Sequence, residues 1–408
     1  MTEAGEFNIR MTISKKIRRL LLVITLPLWY SCNETVKNTD TAGAGDTELV
    51  TTVAGKKEMR MLTDRPLNLE TPLHYFLLDF TPNDVFFVRW HLATMPDKVD
   101  PDTFRLRING DVKNELALSL QDLKTKFKPY SLVALAQCAG NARSFFDPHV
   151  SGGQWKNGAM GNAKWTGVKL KDLLDAAGIK KDAFEVSFNG MDQGPLPTIP
   201  DFVKSLSASH CMDGEVMVAY QMNDADIPML NGYPLKLVVP GWYATYWVGM
   251  LNEIRVYPDT FQGFWMKKAY QVPKDVSNGN ESPDSLATKT VPISKMDVRS
   301  VFVTPEPDSV LTKGKEYEIQ GLAFDGGDGI SKVEISSDNG KTWKAATLDA
   351  EISKYSWRRF RYKFTAQSGT MEFISRATNV KGETQPEHQW NRSGYMRNEI
   401  EKLKLIVQ

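Results

Sequence analysis

The change of pattern near residue 290 limits what this chain can fold into more than any other feature. Beyond it the sequence breaks into short runs at 310–324, 330–337, 343–348, 355–365 and 372–379, with turn residues between them. Runs of that length and spacing predict a β-sandwich of immunoglobulin type. Asp338-Asn339-Gly340-Lys341 reads as a hairpin turn within it. The preceding stretch, 274–290, is polar and reads as a linker.

Upstream, residues 61–273 carry a mixed α+β pattern. Residues 104–111 alternate apolar and polar and end in a turn, a strand signal. Ser119 is placed to cap a helix, with Asp122 three residues on. The apolar run 131–136 reads as a buried strand that delivers Cys138 to a strand end, where α/β folds often build sites. Residues 168–177 have helical spacing, and 233–241 read as a strand broken by Pro240-Gly241.

The N-terminus reads differently. A basic stretch from Met11 leads into an apolar run at 20–30, too short to span a bilayer comfortably. This predicts an export signal over residues 1–32. Cys32 at its end resembles the lipidated cysteine of a bacterial lipoprotein; an ordinary signal with an incidental Cys32 is the alternative. Residues 33–60 are polar and are expected to form a flexible tether. Export permits disulfides, but Cys138 and Cys211 are expected to stay unpaired, Cys211 as a buried thiol. Lys and Arg number 50 against 49 Asp and Glu, which excludes the basic excess of a nucleic-acid binder. No Cys-x-x-Cys-His occurs, so no covalent c-type haem is expected in this chain.

Chemistry concentrates in three segments. Ala136-Gln137-Cys138-Ala139-Gly140-Asn141-Ala142-Arg143 offers a soft thiolate ligand flanked by a glycine that permits close approach of a large group. Phe86-Phe87-Val88-Arg89-Trp90-His91 adds a guanidinium, and with Arg143 makes a pair suited to an oxyanion. Gly158-Ala159-Met160-Gly161-Asn162-Ala163-Lys164-Trp165 completes the set.

In this order the segments resemble the sulfite oxidase family of molybdenum enzymes. The resemblance runs on through Gly232-Tyr233-Pro234-Leu235-Lys236 and Phe264-Trp265-Met266-Lys267-Lys268-Ala269-Tyr270 to Trp390-Asn391-Arg392-Ser393-Gly394-Tyr395. It implies a molybdopterin-binding domain at 61–273 and an immunoglobulin-like dimerisation domain at 291–408. Cys138 falls on the molybdenum ligand. Arg89, Arg143 and Tyr270 fall on the substrate pocket, and Trp155 on its wall. Phe87, Val88 and His91 match the segment that contacts the pterin. Asp192, Asn231, Lys236, Trp247, Val248 and Gly249 fall near further cofactor contacts.

The sequence departs from the animal enzymes at Ala142, Asn231, Gly249 and Ser393. It looks closer to bacterial sulfite dehydrogenases. The implied activity is oxidation of sulfite to sulfate on the periplasmic side, with electrons leaving to a separate c-type cytochrome and the chain forming a homodimer. An S-oxide reductase on the same scaffold, or a non-catalytic cofactor-binding protein, are the alternatives.

Overall fold

A computed structural model describes residues 50–274 and 280–408, with side chains from 53 onward. The export signal, Cys32 and the first part of the expected tether lie outside the described residues. The remainder of that tether is not a tether. Val50–Val53 and Lys56–Asp64 are strands, and they join Leu67–Glu70 and Val88–Arg89 in a four-stranded sheet. The polar surface of this segment is deceptive, because Met59 and the aliphatic stem of Lys56 are buried beneath it.

Two five-stranded sheets form the centre of the first region. One contains Lys204–Ser207, Glu185–Asn189, Glu253–Tyr257, Leu106–Gly110 and Leu116–Leu118. The other is built on Tyr130–Gln137, Met160–Lys169 and Met217–Met222, which pair antiparallel in that spatial order. Helices are short. Leu120–Lys126 starts from a full capping box: Asp122 N–H donates to Ser119 Oγ and Ser119 N–H to the Asp122 carboxylate. Leu170–Ala177 buries Leu170, Leu173, Leu174 and Ala177, and stops at Gly178 in the left-handed region. The helical spacing read from 168 therefore begins two residues late, since strand pairing with Met217 and Val218 claims Lys169 and Val168.

The last third forms two further sheets. Arg299–Thr304, Glu316–Phe324, Arg358–Thr365 and Thr347–Leu348 make one. Val310–Leu311, Glu401–Val407, Gly369–Asn379, Ile330–Ser336 and Lys344–Ala345 make the other. An apolar core that includes Ile319, Val333, Phe360, Phe373 and Leu403 lies within this pair of sheets. The run read at 310–324 is two strands, and the one at 343–348 is two strands of two residues each. Asn339 and Gly340 both take positive φ, as the hairpin turn requires. Arg299–Thr304 and Glu401–Val407 were not among the expected strands.

The last third packs directly onto the first region. Val301, Leu322, Phe324 and Trp357 belong to the same apolar core as Trp165 and Leu135. Leu135 N–H donates to Tyr355 O at 2.8 Å, and Met396 N–H to Ala139 O at 2.9 Å. Part of the expected linker is also anchored: Glu281 is buried and accepts from Arg392 Nε at 3.2 Å.

Candidate active site

Cys138 follows the last residue of Tyr130–Gln137, where Gln137 pairs with Met160. The chain turns immediately. Asn141 N–H donates to Cys138 O at 3.0 Å, and Asn141 Oδ1 accepts from Ala159 N–H at 3.0 Å. Ala142 sits at positive φ. These contacts fix a nearly buried thiol in the lining of a pocket.

Arg89 reaches the same pocket from the end of Val88–Arg89. Its guanidinium donates to Trp90 O, to Asn68 Oδ1 at 3.4 Å and to Tyr270 Oη at 3.4 Å. Burial opposes its charge, but Tyr270 and Cys138 beside it hold it above the ordinary arginine value. Tyr270 arrives with a positive φ, and its phenol is pushed up by burial, so it remains a hydroxyl at neutral pH. That hydroxyl also hydrogen-bonds His91 Nε2. The His91 ring stacks on Phe202 at a centroid distance of 3.5 Å. Burial first, then the charges of Arg89, Lys204 and Lys236, push His91 well below its ordinary value, so its imidazole is neutral.

At the far wall, Asn231 Nδ2 donates to Phe87 O at 2.9 Å and Lys236 Nζ donates to Asn231 O at 3.0 Å. Burial brings Lys236 down to about 8 and the pocket carboxyl Asp192 up to about 7. Gly249 lies against Gly232: a Cβ on Gly249 would stand 2.9 Å from Gly232 Cα, so a side chain there would force the two loops apart. Trp165, Trp247 and Val248 supply apolar wall.

Eleven of the fourteen residues expected at the site line this one pocket: Phe87, Arg89, His91, Cys138, Asp192, Asn231, Lys236, Trp247, Val248, Gly249 and Tyr270. Three do not. Val88 points into a separate cluster with Met59, Leu69 and Met250, because alternate residues of a strand face opposite sides. Trp155 is buried in the core, its carbonyl accepting from Ser144. Arg143 is not among the residues that line the pocket, although its charge acts on Tyr270. Its Nε donates to Gly394 O at 3.0 Å, one terminal nitrogen donates to Gly153 O at 3.1 Å, and its guanidinium lies over the Tyr395 ring at 4.9 Å. A Cβ at Gly140 would fall 2.7 Å from that guanidinium, so glycine is required for it to pack there. Arg392 is likewise engaged elsewhere, on Glu281 and on Ala287 O. Tyr395, two residues beyond Ser393, stacks on Tyr270 at a ring-centroid distance of 5.1 Å.

Sequence reasoning missed Lys56, Asn68, Phe202, Lys204 and Thr245. Lys204 is buried, donates to Trp265 O at 2.8 Å and lies 5.1 Å from the Tyr270 ring centroid. Nothing local marks these residues, since each reaches the site through a long-range fold.

The donor set tests what the pocket can hold. Among the described residues no group of three or more His, Cys, Asp or Glu could hold a metal. A metal bound by Cys138 must therefore bring its other ligands with it. The pocket faces Arg89 and Lys236, with Asp192 as the carboxyl among its lining residues, and its aromatic walls suit a flat ring. Thr245 Oγ1 is buried in that lining with no hydrogen-bond partner. Thiol, cations, aromatic wall and an unspent hydroxyl fit a metal carried on an anionic, ring-bearing organic cofactor.

These features define a molybdopterin oxidoreductase. Residues 91–265 match the oxidoreductase molybdopterin-binding domain, and residues 290–408 match the Mo-co oxidoreductase dimerisation domain. The chain is 30% identical over 372 residues to human mitochondrial sulfite oxidase, covering 86% of this chain and 66% of that protein. It is 30% identical over 374 residues to Arabidopsis thaliana sulfite oxidase, covering 85% and 93%. The chain thus spans about two thirds of the length of the mammalian relatives and nearly all of the plant one. The sulfane dehydrogenase SoxCD of Paracoccus pantotrophus shares the fold, with a TM-score of 0.74 at 24% identity over 90% of this chain and 93% of that one. The chain belongs to the sulfite oxidase family of molybdenum oxidoreductases.

Proposed function

We propose that this chain is a sulfite dehydrogenase that oxidises sulfite to sulfate and passes the electrons singly to a separate c-type cytochrome. Convergence of Cys138, Arg89 and Tyr270 on one cation-lined pocket carries this reading. The overall reaction takes sulfite and water to sulfate, two protons and two electrons. When bound, the molybdenum cofactor supplies the oxygen-atom transfer and accepts the electron pair.

The chain's own residues do the rest. Cys138 holds the metal through Sγ, a soft donor. Arg89 binds the sulfite anion with charge-assisted hydrogen bonds. Tyr270 donates its hydroxyl to a substrate oxygen, and its neutral form avoids repelling the anion. The His91 hydrogen bond, with His91 itself stacked on Phe202, holds Tyr270 in place. Lys236, Asn231, Asp192, Phe87, Trp247, Val248 and Gly249 cradle the pterin and its phosphate. Arg143 and Trp155 act behind the pocket wall, shaping the Cys138 loop.

The C-terminal sheets serve as an immunoglobulin-like dimerisation module in a homodimer. The protein is exported, and Cys32 anchors it to the outer face of a bacterial membrane. Sulfite-dependent reduction of ferricyanide and of a c-type cytochrome, by protein with confirmed molybdenum loading, tests the activity. Saturable turnover with both acceptors is expected. No sulfite-dependent turnover from loaded enzyme would overturn the reading.

A further inference from the structure

The N-terminal hairpin places a lysine directly behind the cofactor pocket. Lys56 is 1% exposed, and each of its three ammonium protons has an acceptor. Nζ donates to Asn83 O at 2.5 Å, to Phe86 O at 3.0 Å and to Asn231 Oδ1 at 2.5 Å. Phe86 and Asn231 line the pocket; Lys56 does not. The opposite end of the Asn231 amide donates to Phe87 O, and its backbone carbonyl accepts from Lys236. Asn231 is therefore held from three sides, and one hold comes from a residue 175 positions away.

All three hydrogen-bond acceptors of Lys56 are neutral; the carboxylate that acts on it is Asp84, which favours its charge from the neighbouring Lys57–Asp84 ion pair at 2.9 Å, while Lys236 opposes it. A buried ammonium hydrogen-bonded only to neutral acceptors is costly to the isolated protein, and here burial outweighs the nearby Asp84 carboxylate. Burial accordingly pushes the Lys56 amine down to about 7. The cost is offset if an anion occupies the space that Asn231 and Lys236 face.

We infer that Lys56 is a positioning residue for the anionic end of the cofactor: through Asn231 and the Phe86–Phe87 backbone it ties the N-terminal hairpin to the pocket wall and adds positive charge behind it. The hairpin at 50–64 is thus a clasp on the cofactor site. This inference rests on the reading that the pocket holds molybdopterin.

The test compares wild type, Lys56→Met, Asn231→Ala and the double variant, each made as full chain in a molybdopterin-competent host. Pterin and molybdenum are measured after gel filtration and timed dialysis, and thermal melting is measured on protein made without cofactor. Loss of a residue that orients a metal ligand from outside commonly costs about 10–100-fold in metal affinity or activity, and an effect at the low end of that scale is expected here. Lys56→Met should release pterin about tenfold faster than wild type, while the cofactor-free protein melts no lower. Asn231→Ala, which also removes the donor to Phe87 O and a pocket-lining amide, should release pterin at least as fast, and the double variant should add little beyond Asn231→Ala, because the Lys56 contribution runs largely through that amide. A purely structural lysine would lower the cofactor-free melting temperature and leave pterin release unchanged. If Lys56→Met does not fold, Lys56→Gln, which keeps one donor and removes the charge, answers the same question. Equal retention by wild type and the Lys56 variant overturns the inference alone. Wild type that purifies without pterin overturns the reading of the pocket.

Discussion

The pocket region and the C-terminal sheets treat buried charge in opposite ways. In the C-terminal sheets buried cations meet carboxylates. Arg299, 1% exposed, pairs with Glu401 at 2.6 Å, and Arg397 lies 3.4 Å from Glu399 and 3.9 Å from Glu401. Around the pocket, Arg89, Lys56, Lys204 and Lys236 donate to backbone carbonyls, amides and a phenol. A protein stabilised only for its own sake pairs its buried charges or removes them. Cations held on neutral acceptors around a concave site mark a place organised for an anion, and the two regions differ because one is scaffold and the other is a receptor.

The largest effect is expected at the thiol. Cys138→Ser replaces a soft ligand by a hard one. Sulfite turnover should fall to background with molybdenum content sharply reduced; near-normal activity in a loaded variant would refute the ligand assignment. Next in size, Arg89→Gln removes a charge-assisted contact worth about 2–3 kcal/mol. The specificity constant for sulfite should drop by about two orders of magnitude, mostly through KM; an unchanged value in steady-state kinetics removes Arg89 from the pocket's work.

The scaffold should respond in the other currency. Glu401→Gln strips Arg299 of its carboxylate and should cost about 3 kcal/mol in denaturant unfolding, with KM for sulfite unchanged in the folded fraction. A change in KM without loss of stability would erase the division between the regions.

The smallest effect concerns Asp192. Burial raises its carboxyl from 3.8 to about 7. Between those values the native state keeps a proton that the unfolded chain has released. This group's contribution to stability therefore falls as pH rises through that window and is lowest above 7. Asp192→Asn should raise the melting temperature of cofactor-free protein at pH 8 and leave it nearly unchanged at pH 4. The opposite pH order would show that Asp192 has a partner cation when folded.

Legibility followed distance along the chain. The Ser119–Asp122 capping box and the Asn339-Gly340 turn are local, and both were readable from a few residues. Cys138 was readable because a short apolar run and a small-residue turn place it at a strand end. Arg143 was placed in the pocket from its neighbourhood, but its direction is set by Gly394, 251 positions on. Lys56 was read as tether because its segment is polar; its burial depends on Asn231 and on a sheet completed by Val88–Arg89. Val88 shows the same limit within one segment, since strand alternation turns it from the pocket that Phe87 and Arg89 face.

The most direct measurement is an anaerobic titration of molybdenum-loaded protein with sulfite, following sulfate formed and electrons recovered on adding an oxidant. One sulfate and two electrons per active centre are expected, with the same protein carrying Arg89→Gln needing far more sulfite to reach that end point. Loaded protein that yields no sulfate and no recoverable electrons would contradict sulfite oxidation at this site.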